Sequence, residues 1–170
     1  MIHGIVLGGG ALLGLAAALF SLSTIRVADA TGLADATAEQ QTRYLGRLLV
    51  LVALALWLTV LVGTYITFPA YRATPPDSLA DLARYPESLI KSNPGTVWLQ
   101  SFAMEIKEQV PWIAAMLATA LAFVSVRYRF RLLHDAALRR LSTYLLAVCF
   151  LLVAGVSLLG VFINKVAPLQ

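Results

Sequence analysis

Charge is scarce in this 170-residue chain: only 13% of its residues are Asp, Glu, Lys or Arg, about half the fraction carried by a typical soluble domain. Polar groups this sparse cannot cover a water-facing surface, which excludes an ordinary soluble globule. Cysteine is nearly missing as well. Cys149 stands alone, so an intrachain disulfide is excluded, and its neighbours Ala147, Val148, Phe150 and Leu151 mark it as a small hydrophobe. Only two histidines occur, His3 and His134, and neither stands at ligand spacing from a cysteine or carboxylate pair, so no metal set is expected. No ionisable residue falls in the middle of any apolar run. This argues against an ion-coupled transporter, a proton pump or a voltage sensor, which place charge near the bilayer midplane. The polar residues that do occur there, Thr59, Thr64, Thr119 and Ser125, can bond back to their own helix carbonyls. Gly8-Gly9-Gly10 lacks a following Lys-Ser/Thr, so it is no phosphate loop. No Ser/His/Asp set gathers on one side.

Apolar residues are abundant, at 59% with a mean hydropathy of +0.79. They concentrate in four runs, at about 4–25, 44–68, 106–127 and 141–163. Each must be helical, because lipid offers no partner to backbone amides and the runs lack the alternation of barrel strands. The expected fold is all-α: an integral membrane four-helix bundle occupying residues 1–170 as a single domain. Ala28-Asp29-Ala30 resembles a signal cleavage site. However, no Lys or Arg precedes the first apolar run, and a signal peptide needs a basic start, so the run is expected to be retained as a span.

Orientation follows from the distribution of basic residues. The connections between runs one and two and between three and four carry Arg26, Arg43, Arg47, Arg127, Arg129, Arg131, Arg139 and Arg140. The other side carries Arg72, Arg84, Lys91, Lys107 and Lys165, mostly in the stretch 69–109, which also holds five acids. The arginine-dense connections are therefore expected in the cytoplasm, giving an N-out/C-out protein in the inner (cytoplasmic) membrane. The formal charge of +4 and pI near 9.5 are explained by these flanks, and nucleic acid is not an expected partner.

The longer outer loop, about 69–105, is expected to contain short amphipathic helices. Pro75-Pro76-Asp77 reads as a lead-in and N-cap for a helix through Leu79, Leu82 and Ala83, with Pro86 interrupting it and Asn93-Pro94-Gly95 forming a turn. Trp98, Phe102, Ile106 and Val110 recur every four residues, a helical stripe. It either lies in the membrane interface or runs into span three through a kink at Pro111. From Pro111 to Val126 a helix would reach only about 24 Å, short of a hydrocarbon core of about 30 Å, so span three is expected to begin before Pro111. Small residues at four-residue spacing (Gly4 and Gly8; Gly10, Gly14 and Ala18; Ala55, Thr59 and Gly63; Ala114, Ala118 and Ala122) predict faces for close helix packing, within the bundle or against other subunits.

Three groups of candidate site residues emerge. His3 and Met104 share the outer side and are a candidate ligand pair for haem b; His3 and His134 lie at opposite faces, which excludes them as a pair within one chain. Glu105 and Glu108, at i and i+3 with Lys107 between them, form a candidate proton, cation or partner contact. Arg127, Arg129, Arg131, Arg139 and Arg140, with Tyr128 and Phe130, form an aromatic-basic belt for lipid headgroups or a partner. The function expected is a non-catalytic accessory subunit of a larger membrane complex, in an energy-transducing setting such as respiration or photosynthesis. The alternative is a small b-type cytochrome or quinone-handling subunit, with haem b, quinone, or a bound lipid or pigment as its cofactor. A small carrier or channel is a third, weaker reading. Expected partners are other membrane subunits and lipids.

Overall fold

The computed structural model of the chain describes residues 3–25, 36–76 and 82–167. Arg26, Asp77 and Leu79 lie outside the described residues, as does the side chain of His3. Helix accounts for 90% of the described residues, with no strand among them. A π-helical stretch, His3–Gly8, leads into α1 (Gly9–Thr24). Helix α2 (Ala36–Val62) continues through a second π-helical stretch, Gly63–Thr67, into α3 (Phe68–Tyr71). A 3₁₀ turn, Leu82–Arg84, and α4 (Pro86–Ser92) occupy the long connection. A third π-helical stretch, Leu99–Met104, opens α5 (Glu105–Arg127), and α6 (Arg129–His134) precedes α7 (Ala136–Val166).

Four continuous helical units of 19, 36, 29 and 31 residues are long and apolar enough to cross a bilayer. The chain is thus a multi-pass helical membrane protein. The third unit starts at Leu99, twelve residues before Pro111, as its length requires. Its α-helical winding continues through Pro111, and a π-helical stretch precedes it at Leu99–Met104. The fourth is started by Asp135, whose Oδ1 accepts from the backbone N–H of Ala137 at 2.8 Å and of Leu138 at 3.1 Å, satisfying two of the amides that a helix start leaves open.

The bundle core is built from Leu15 and Ala18 of α1, Leu45 and Leu49 of α2, Ala115 and Ala118 of α5, and Leu146 and Cys149 of α7. Ala114, Ala118 and Ala122 do form a buried row, as their spacing predicts. In α1 only Gly14 and Ala18 take part: a Cβ on Gly14 would come within 2.5 Å of Val52 Cγ2, so the bare backbone is what lets α1 approach α2. Nothing lies within 4 Å of the corresponding positions at Gly4, Gly8 and Gly10. In the row Ala55, Thr59 and Gly63, Ala55 packs against the core, while Gly63 closes no contact within the bundle. Helix α2 buries Val52, Ala53, Leu56 and Val60, which turns Gly63 toward open space. Close approach of α2 to α5 falls at Gly46, where a Cβ would meet Val126 Cγ2 at 3.3 Å and the Ser125 carbonyl oxygen at 3.5 Å.

Two of the four mid-span polar residues, Thr59 and the exposed Thr119, bond back to their own helix. Thr59 Oγ1 donates to Ala55 O at 2.7 Å and Thr119 Oγ1 to Ala115 O at 2.8 Å, the local bonds expected of them. Thr119 also accepts from Trp57 Nε1 at 2.9 Å, and Trp57 meets Trp112 edge-to-face with centroids 5.8 Å apart.

A second, smaller apolar cluster sits at the bundle end that carries both termini. Tyr71, Ile90, Leu99, Ala103, Met104, Ile163 and Ala167 come together there, so the connection between α3 and α5 is folded against the bundle. Helix breaks at Tyr85, just before Pro86, as expected, and Pro86 then stands at the first turn of α4, where its missing N–H costs nothing. Asn93 accepts from Gly95 N at 2.8 Å, closing the expected turn. The stripe of Trp98 and Phe102 belongs to the helix continuous with α5 but faces outward, and the buried side of that helix is Leu99, Ala103 and Met104.

Candidate functional site

Polar chemistry is confined to the two ends of the bundle. At the termini end, four segments converge. Tyr71 is delivered by the end of α3, Glu87 and Lys91 by α4, Gln100 by the π-helical stretch, and Glu105, Lys107 and Glu108 by the first turn of α5. The Tyr71 hydroxyl donates to Gln100 Oε1. Gln100 Nε2 donates onward to Glu87 Oε1 at 3.4 Å, and Lys91 Nζ closes on the same carboxylate at 2.5 Å. This relay ties α3, α4 and the start of the third span together. It is a tether for the connection rather than a set of free reactive groups.

The two candidate carboxylates part company. Glu108 is half-buried and pairs with Arg72 at 3.5 Å, while the Arg72 guanidinium also lies 4.5 Å from the Phe68 ring centroid. Glu105 is exposed. The partner of Glu108, Arg72, belongs to the same chain. The two residues are 36 positions apart, beyond the reach of any helical spacing rule. Lys107 turns the other way. Its Nζ lies 3.6 Å from the position a Cβ would take on Gly160, so its stem crosses onto α7. Met104 is 5% exposed and packs among Tyr71, Ile90, Leu99, Ala103, Ile163 and Ala167. The His3 side chain lies outside the described residues, so the His3–Met104 pairing has no geometry to set beside it. Among the described residues, no three His, Cys, Asp or Glu side chains gather to hold a metal ion.

At the opposite end lies the basic belt. Arg129 and Arg131 stack over the rings of Phe130 (5.0 Å) and Tyr128 (5.7 Å). Arg127, Arg131 and Arg140 are exposed, Arg129 and Arg139 partly buried. The nearby acids are already engaged. Glu39 pairs with Arg43 at 2.6 Å, and Asp135 caps α7. Arg129 Nε and Arg139 Nη1 are buried with no hydrogen-bond partner among the described residues. His134 is exposed, with Nδ1 2.8 Å from Phe130 O, a backbone bond that leaves its ring at the belt. Among the described residues, the arrangement is a patch of net positive charge at one end of an apolar bundle.

Two features were not read from the sequence. The three π-helical stretches all lie toward the termini end, and such stretches mark places where side chains are re-aimed within a helix. Only one had a signal. Pro69 cannot donate to the carbonyl of Tyr65, and the winding just before it shifts so that Phe68 N–H bonds Gly63 O. The other is an apolar groove between α5 and α7, lined by Ile106 and Val110 and by α7 residues from Leu151 to Leu159. No known family model, curated protein or solved structure matches the chain.

Proposed function

We propose that the chain is a non-catalytic accessory subunit that docks in the membrane against helices of other subunits. One observation carries this reading. The outward face of the first span is notched: Val6, Leu13 and Phe20 are 62%, 74% and 71% exposed, and between Val6 and Leu13 stands Gly10, with nothing within 4 Å of where its Cβ would be. Gly4 is exposed as well, with nothing within 4 Å of its Cβ position. Bare backbone flanked by large apolar side chains is the surface that a second helix packs into closely, and close packing is what drives helix association in lipid. The midplane supports the same reading, since its polar residues Thr59 and Thr119 are occupied by backbone and Trp57 bonds.

The orientation that belongs with this reading puts both termini and the α4 segment outside and the arginine belt in the cytoplasm. It is supported by the gathering of Arg43, Arg47, Arg127, Arg129, Arg131, Arg139 and Arg140 beside short connections at one end. Gentle extraction from native membrane tests the subunit reading. The chain is expected to migrate with stoichiometric partners that are lost on Gly10→Leu. Migration as a lone 18.3 kDa species from native membrane overturns it.

A further inference from the structure

On its termini side, the seam between α5 and α7 opens laterally into a groove of about 450 Å³ whose lining is almost wholly apolar. Ile106 and Val110 form one wall; Leu152, Gly155, Val156 and Leu159 form the other. The groove exists because position 155 has no side chain: nothing lies within 4 Å of where a Cβ would stand. At its upper end Lys107 reaches across to Gly160, one helical turn beyond Val156 on the same row, with Nζ 3.6 Å from that glycine's Cβ position. The neighbouring carboxylates do not neutralise it. Glu108 is committed to Arg72 and Glu105 is exposed, and Lys107 makes no ion pair or hydrogen bond among the described residues.

The geometry points to a binding site for one anionic phospholipid, an acyl chain lying in the α5–α7 groove and its phosphate against the Lys107 ammonium. Three dimensions agree with this occupant. The groove follows α7 from Leu151 to Leu159, roughly 12 Å of helix, close to half of a hydrocarbon core of about 30 Å. It therefore spans one leaflet, which suits a single acyl chain, whereas a docked transmembrane helix would need a seam running the full length of α7. Its lining offers no polar group, so nothing in it rewards a polar ligand. Lys107, the cation that reaches onto α7 beside it, stands at the end nearer the membrane surface, where a lipid phosphate resides. The site lies on a different face from the notched surface of the first span and does not depend on the accessory-subunit reading.

The test is native mass spectrometry of the whole chain in detergent, titrated separately with phosphatidylglycerol and phosphatidylcholine. Lys107→Gln is expected to lower phosphatidylglycerol affinity at one site about fivefold, the factor one basic residue at a headgroup surface is worth, and to leave phosphatidylcholine unchanged. Gly155→Phe, which fills open space and so should fold, is expected to remove one bound lipid of either kind. Arg131→Gln serves as the control: its loss of anionic lipid occurs at the other end and should add independently to that of Gly155→Phe. Equal phosphatidylglycerol binding by the wild-type chain and Lys107→Gln overturns the proposal. So does a photo-crosslinker at position 158 that captures a protein helix rather than a lipid in native membrane.

Discussion

Adding one methyl group at Gly14 should separate the first two helices. An alanine there would place its Cβ 2.5 Å from Val52 Cγ2 and within 4 Å of Leu48 Cδ1. Val52 is 3% exposed and β-branched, with one strongly preferred rotamer in a helix, so it cannot swing aside and the helices must move apart. Overpacking of this kind costs about 1–3 kcal/mol. Against it stands the gain of replacing glycine by alanine in a helix, up to about 1 kcal/mol. The same gain applies at Gly10, where the new methyl meets nothing. The difference between the two variants therefore isolates the clash: Gly14→Ala should be less stable than Gly10→Ala by about 1–3 kcal/mol. Thermal unfolding in detergent reads this difference. Repeating the pair on a Val52→Ala background, which deletes the offending methyl, should abolish most of it, giving a coupling of similar size. Equal stability of Gly14→Ala and Gly10→Ala, or a difference that survives Val52→Ala, would refute the packing of α1 against α2 described above.

Asp135→Ala removes the acceptor for two amides at the start of α7; stability should fall by about 1 kcal/mol, with Asp135→Asn keeping most of it, as measured by denaturation in mixed micelles. Tyr71→Phe breaks the tether to Gln100; protease cleavage between residues 82 and 98 should quicken while the bundle's unfolding midpoint changes little, since one hydrogen bond contributes about 0.5–1.5 kcal/mol. Cys149 is fully buried, with Sγ 3.6 Å from Ala114 O. A small maleimide should therefore label it only after unfolding, and rapid labelling of the folded chain would contradict its place in the core.

How far such a chain can be read without its structure depends on whether the signal is local. The spans were legible because each is a continuous apolar run, and the early start of the third followed from the shortness of Pro111–Val126. Which face of each span is buried was not legible. Within the apolar run of α7 the buried residues are Leu146, Cys149, Val153 and Ile163, next to buried Ser142, while Leu151, Leu158 and Val161 are exposed; the apolar residues of the two sets are chemically alike, and a helix that is apolar all round carries little periodic mark of its inner face. The same holds for glycine, which closes a contact at Gly14 and Gly46 but faces open space at Gly10, Gly63 and Gly155. At the candidate sites, residue types singled out the acidic pair and the arginine belt, yet the partners depend on the tertiary fold. Arg72 meets Glu108 only because the end of α3 comes beside the start of α5, and Lys107 meets Gly160 only because α5 packs against α7. Pro86 shows the limit of a local rule, since a proline that ends one helix is equally suited to begin the next.

The whole account stands on four crossings that leave both termini and α4 on one side and the arginine belt on the other. Single cysteines at Ser92 and His134, on a Cys149→Ala background, measure this directly with a membrane-impermeant thiol reagent on intact cells. The account predicts that position 92 is labelled from outside and position 134 only after permeabilisation. Labelling of both positions from outside would contradict it.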